Sequence, residues 1–167
     1  MLLQKAIYFT VLSSQISLSD NSLDLFLYPL YHTFIKYLWE FFMKETILLY
    51  NFTSKISNSI KYVAVRMGVH IRTIEPAQYK IPLGLLAFGS SEQQQEYLVD
   101  DAPAFDDSML IFAGFSNPRL NQFLKLLSKN NVPKIDLKAT LTEHNAVWDS
   151  VTLHDELVKE HELMTKQ

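Results

Sequence analysis

Two segments of this sequence align without gaps, and this internal repeat constrains the fold more than any other feature. The segment NFTSKISNSIKYVAVRMGVHIRTI (51–74) matches GFSNPRLNQFLKLLSKNNVPKIDL (114–137), and each follows an apolar run. In each, a Phe precedes a hydroxyl residue, Thr53 or Ser116, whose side chain can accept hydrogen bonds from the free amides at a helix start. The pattern predicts a structural repeat of two βαβ units.

Each unit contains one helix with its apolar residues on a single face. These residues are Ile56, Ile60, Val63 and Met67 in the first unit, and Leu120, Phe123, Leu124 and Leu127 in the second. Their spacing is typical of an amphipathic helix. Gly68 follows the first helix, at a position that often needs a left-handed residue.

The composition of the strands predicts their position in the sheet. The runs ILLY (47–50) and MLIF (109–112) are apolar throughout, as in strands covered on both faces. In contrast, VHIRT (69–73) and KIDLKATL (134–141) alternate, as in edge strands. We therefore predict an α+β fold whose duplicated βαβ halves form one four-stranded, ferredoxin-like sheet, followed by a C-terminal helix. The alternative is a small parallel α/β sheet.

The first 42 residues differ in composition from the rest of the chain. Residues 1–42 contain neither Gly nor Arg, and charged residues interrupt their apolar runs, which disfavours a membrane span. We interpret them as a non-core extension with a mis-assigned start. We favour this interpretation over a signal peptide or an amphipathic surface helix. Residues 43–167 are predicted to form a single domain, with halves 43–90 and 108–167 and an acidic linker between them.

Composition also argues against several functions. The formal net charge is −3 and no Lys/Arg cluster occurs, which argues against nucleic-acid binding and makes a membrane contact unlikely. Without cysteine, the chain forms no disulfide, thiolate nucleophile or Cys-based zinc site, which is compatible with a cytoplasmic location. His154 and His161 would lie about 10.5 Å apart along a helix, too far for one metal ion. We predict no metal and no cofactor.

The C-terminal run KIDLKATLTEHNAVWDSVTLHDELVKEH (134–161), together with MLIFAGFSNPRLNQFL (109–124), resembles a family of uncharacterised bacterial proteins that carry the domain of unknown function DUF3783. A looser resemblance extends back to Met43 through MKETILLYNF and IPLGLLA. Glu143 and His144 depart from the family's usual Pro-Thr. The resemblance implies no settled activity.

Asn145, Trp148 and Asp149 are predicted to form a structural corner before the last helix, with Asp149 or Ser150 at its start. For Asn145 a ligand contact is the alternative interpretation. A separate hypothesis concerns the two repeated helix starts, whose free amides and dipoles favour anions. In a parallel sheet they would share one edge with Arg119, whereas in a ferredoxin-like sheet they would lie at opposite edges. The residues of these two helix starts are Thr53, Ser54, Ser116 and Asn117.

The leading prediction is a small cytoplasmic interaction or regulatory module without evident catalysis. Two apolar central strands with only two clear helices leave one sheet face in need of cover, which a second copy or another protein could supply. A homodimer or a protein partner is therefore expected. The alternative function is a small-anion or nucleotide-binding domain that uses the helix starts at Thr53 and Ser116. An enzyme ranks third, because no convergent acid, base and nucleophile are visible.

Overall fold

A computed structural model describes residues 44–99 and 103–165 of the chain, all within one compact unit. The predictions for residues 1–42 lie outside the described residues. The elements, in chain order, are β1 (Thr46–Tyr50), α1 (Ser54–Met67), β2 (His70–Thr73), a 3-10 turn (Pro76–Gln78), α2 (Leu83–Phe88), α3 (Ser91–Gln95), β3 (Met109–Ala113), α4 (Asn117–Lys129), β4 (Leu137–Thr140), a second 3-10 turn (Asn145–Val147) and α5 (Ser150–Thr165).

The four strands form one mixed sheet in the order β2-β1-β3-β4. Strands β1 and β2 are parallel, as are β3 and β4, while the central pair β1 and β3 is antiparallel. The prediction of an α+β fold with two βαβ halves, apolar central strands and alternating edge strands is confirmed. The detailed pairing differs from a split ferredoxin-like sheet, because each helix returns the chain directly beside the strand that it left. The antiparallel central pair also differs from an all-parallel sheet.

The repeat is visible in the backbone conformation. Asn51 and Gly114 are equivalent in the alignment, and both have positive φ, 54° and 74°. Gly68 and Asn131 are equivalent after the two helices, and they also have positive φ, 70° and 56°. Because Gly and Asn adopt the left-handed region more readily than other residues, the sequence encodes the same two turns in both units.

The chain itself covers both faces of the sheet. Helices α1 and α4 cover one face through Ile60, Val63 and Phe123, which pack against Ile47 and Phe112. The opposite face is covered by a cluster that includes residues of the 79–87 segment and of α5, namely Tyr79, Ile81, Leu83, Leu86, Ala87 and Leu153. The predicted need for cover is therefore met within the chain, and the homodimer stays a prediction that must rest on other surfaces.

The predicted acidic linker has structure of its own. Residues 91–95 form α3, in which Gln94 is buried and donates from Nε2 to the Leu85 carbonyl at 2.8 Å. Near the other end of the linker, the Phe105 ring stacks on Tyr79 with centroids 4.6 Å apart. Both ends of this segment therefore pack against the face of the sheet that α5 covers.

Candidate functional site

The two helix starts predicted to bind an anion lie at opposite ends of the sheet. Thr53 and Ser116 occupy the N-cap positions of α1 and α4, but neither side chain caps its helix. The antiparallel register of β1 and β3 directs the two following helices from opposite ends. Ser54 and Asn117 are exposed at these two separate starts. The structure therefore forms no joint site, and anion binding at a single helix start stays a prediction.

Arg119 is paired with an internal carboxylate. Its Nε donates to Glu45 Oε1 at 2.8 Å, and Nη2 donates to the same carboxylate and, at 2.9 Å, to the Met67 carbonyl. The hydrogen bonds with Glu45 raise the pKa of Arg119. This side chain ties the start of α4 to the start of β1 and the end of α1, and the pairing reduces its availability to an external anion.

Asn145 organises the turn between β4 and α5. Its Oδ1 accepts from the Thr142 amide at 2.7 Å, and its Nδ2 donates to the Thr140 carbonyl at 3.1 Å. The Asn145 amide donates to Thr142 Oγ1 at 3.3 Å. Both ends of the side-chain amide therefore contact nearby backbone, as the corner interpretation expects.

Trp148 and Asp149 complete this corner. The half-buried Trp148 packs against the core, and its carbonyl accepts from the Leu83 amide at 2.9 Å. Asp149 Oδ1 accepts from the Thr152 amide at 2.8 Å, which caps α5, while Oδ2 accepts from Lys80 Nζ at 2.8 Å. Although burial opposes ionisation, these hydrogen bonds lower the pKa of Asp149.

A polar and aromatic cluster that sequence reasoning missed links α5 to the 105–107 segment. The His154 ring stacks on Phe105 with centroids 4.1 Å apart. Its Nε2 lies 3.0 Å from Asp107 Oδ2, and its Nδ1 lies 3.2 Å from Asp155 Oδ1. Both ring nitrogens are therefore occupied by carboxylates, which favours a structural role. The sequence offered no signal for this cluster, because its members come from two distant segments.

A second unpredicted contact lies beside this cluster. The hydroxyls of Tyr50 and Ser150 are hydrogen-bonded at 3.0 Å in the core, and burial raises the pKa of Tyr50. The Tyr79 hydroxyl donates to Asn51 Oδ1 at 3.2 Å, and burial also raises its pKa. Neither tyrosine is poised as a base, because a raised pKa keeps the hydroxyl protonated.

Two surface cavities of the described residues are smaller than typical ligand sites. One, of about 160 Å³, is lined by residues that include Asn51 and Glu75, and the other, of about 220 Å³, by residues that include Asp107 and Lys134. Small-molecule pockets usually measure about 300–1,000 Å³. No cluster of metal-ligating side chains occurs within residues 44–99 and 103–165. Every helix in the described ranges is too short or too polar to traverse a bilayer.

Helices α1 and α4 together carry six basic residues and no acidic residue, and we call their outer surface the basic layer. The two helices contact each other on the same face of the sheet. Apart from Arg119, no basic residue of this layer forms an ion pair with another described residue. On α1, Tyr62 and Val65 are 53% and 71% exposed. The six basic residues are Lys55, Lys61, Arg66, Arg119, Lys125 and Lys129.

A segment that packs on the opposite face of the sheet through Phe105 is acidic in its described residues. The described residues 91–99 and 103–107, which we call the acidic segment, contain four acidic residues and neither Lys nor Arg. Glu92 and Glu96 are exposed, and an apolar stretch follows them. Its members, Tyr97, Leu98 and Val99, are 40%, 47% and 43% exposed. The sequence prediction missed this segregation because the charge was summed over the chain; a count for each element would have found it.

The comparisons with known proteins agree with the sequence resemblance. Residues 108–164 match the model of the domain of unknown function DUF3783. This range begins beside β3 and ends within α5, so it comprises the second βαβ unit, the Asn145 corner and most of the last helix. The comparisons with curated proteins and with solved structures found no match. The predicted resemblance is confirmed over residues 108–164, where this chain matches the DUF3783 model.

Proposed function

We propose that this chain is a small cytoplasmic interaction or regulatory module that binds an acidic protein surface through its basic layer. The observation that carries the proposal is the combination, on α1 and α4, of lysines that form no ion pair with another described residue and two exposed apolar side chains, Tyr62 and Val65. A chain without cysteine suits the cytoplasm, where thiols stay reduced and disulfides are rare.

The physical chemistry of the basic layer suits a protein partner. Exposed lysines attract a surface of opposite charge and increase its rate of association. An aromatic side chain such as Tyr62 supplies apolar area at the centre of a contact, where a few residues contribute most of the binding energy. A nucleic acid fits less well, because the chain carries a net charge of −3 and the acidic segment would repel phosphates.

The polar groups that the structure brings together support binding better than they support catalysis. His154 is held between Asp107 and Asp155, so it is not free to activate a nucleophile. The hydroxyl of Ser150 is buried against Tyr50. These groups stabilise the face of the sheet that α5 covers.

The proposal is tested by charge reversal in the basic layer. Lys55→Glu/Lys125→Glu replaces two exposed lysines, and Lys134→Glu/Lys159→Glu is the matched control outside the layer. Each full-length variant is tagged and used to capture proteins from a lysate of cells of its own source, and the captured proteins are quantified. A captured protein is then purified and titrated against each variant. We expect affinity to fall at least about tenfold in the first variant, because close charge pairs contribute at least about 1.5 kcal/mol.

The control carries the same change in net charge, so it separates a specific surface from a general electrostatic effect. We expect it to retain the partner with little change, because exposed ion pairs contribute about 0–1 kcal/mol to stability. Equal binding by wild type and both variants would contradict the proposal. Far-UV circular dichroism of each variant establishes that the fold is retained.

A further inference from the structure

We infer that the acidic protein surface recognised by the basic layer is the acidic segment of a second copy of this chain. This inference rests on the proposed function and names its partner. The evidence is the complementarity of two surfaces that one chain carries: six basic residues on α1 and α4, and four acidic residues in the acidic segment.

The two surfaces also match in their apolar content. The basic layer exposes Tyr62 and Val65, and the acidic segment exposes Tyr97, Leu98 and Val99. On each surface the apolar residues lie in sequence close to the charged ones, with Lys61 and Arg66 on one side and Glu96 on the other. An apolar centre with charged residues around it is the usual anatomy of a protein interface.

The two surfaces do not neutralise each other within one copy. The basic layer covers the face of the sheet that contains Ile47 and Leu49, whereas the acidic segment packs through Phe105 on the face that contains Leu48 and Tyr50. The sheet and its two packed cores separate them. Because the Debye length is about 8 Å at physiological ionic strength, their mutual attraction across the molecule is largely screened. Contact between two copies is the arrangement that brings these charges together.

Such a contact is heterologous, because one surface of a copy meets a different surface of the next copy. A dimer formed in this way still presents one free basic layer and one free acidic segment. Association therefore continues to larger species as the concentration rises, unless the geometry closes a ring. It weakens from about 0.1 M to about 1 M salt, since the Debye length falls from about 10 Å to about 3 Å.

Complementation between two variants of the full chain tests this arrangement. Lys55→Gln/Lys125→Gln weakens the basic layer and leaves the acidic segment intact, whereas Glu92→Gln/Glu96→Gln does the reverse. All four side chains are exposed and form no ion pair with another described residue. By sedimentation velocity, we expect the self-association of each variant to weaken at least about tenfold. An equimolar mixture has one intact pair of surfaces, so it should form a one-to-one dimer that grows no further.

The control Lys134→Gln/Lys159→Gln should associate like the wild type. The inference is overturned if the wild-type chain is monomeric at low salt up to high micromolar concentration, if neither surface variant weakens association, or if the mixture forms no dimer. Its failure is distinguishable from failure of the proposed function. The inference alone is overturned if the wild-type chain is monomeric but binds another acidic protein, and this binding is lost in Lys55→Glu/Lys125→Glu. The inference and the proposed function both fail if the basic layer binds neither a second copy nor another acidic protein.

Discussion

The hydrogen bond between Tyr50 and Ser150 joins the central strand β1 to the last helix, and a double-mutant cycle measures its contribution. The two hydroxyls lie 3.0 Å apart, and both residues are 0% exposed. Tyr50→Phe removes one hydroxyl and leaves Ser150 Oγ buried without this partner. Ser150→Ala likewise leaves the Tyr50 hydroxyl buried without this partner. Because an unsatisfied buried polar group costs about 1–3 kcal/mol, we expect each single variant to lower the free energy of unfolding by that amount.

The double variant gives a different expectation, because it removes both hydroxyls together. Replacement of both partners by apolar groups is nearly neutral, so Tyr50→Phe/Ser150→Ala should lie within about 1 kcal/mol of the wild type. The two substitutions are then strongly non-additive. We expect an interaction energy of at least about 1 kcal/mol between them, because two single losses of about 1 kcal/mol or more become a joint loss of about 1 kcal/mol or less.

Urea unfolding followed by far-UV circular dichroism measures all four members of the cycle under identical conditions. Tyr62→Phe is the control, because its ring is 53% exposed and a surface substitution changes stability by about 0.5 kcal/mol or less. A double variant whose loss equals the sum of the two single losses would refute the reasoning, since additivity means that the two hydroxyls do not interact.

The remaining predictions concern the corner before α5. The lowered pKa of Asp149 stabilises the fold above the ordinary value of about 3.9, and this stabilisation is lost as the pH falls through the folded pKa. Asp149→Asn should therefore reduce the slope of unfolding free energy against pH on the acid side, and an unchanged slope would contradict this. Asn145→Ala should lower the free energy of unfolding, measured by chemical denaturation, by about 0.5–1.5 kcal/mol. Asn145→Asp keeps the acceptor for the Thr142 amide and should lower the free energy of unfolding by less than Asn145→Ala does. Equal losses in the two variants would contradict the corner role of Asn145.

The features that depend on neighbouring residues could be predicted from the sequence. The spacing of apolar residues identified α1 and α4, because a helix of 3.6 residues per turn places them on one face. The contrast between continuous and alternating runs separated the central strands from the edge strands. Gly68 correctly marked the end of α1, where φ is 70°. The DUF3783 resemblance was carried by one nearly continuous run near the C-terminus.

Only the tertiary structure decided which distant segments meet. The antiparallel pairing of β1 with β3 separates Thr53 from Ser116, and no local pattern specifies how two similar units pair. No local sequence pattern pairs Arg119 with a carboxylate, whereas the fold brings Glu45 to it from a distant part of the chain. The charges of α1, α4 and the acidic segment can be counted in the sequence, but only the packing of the sheet places the two helices on one face and the acidic segment on the other.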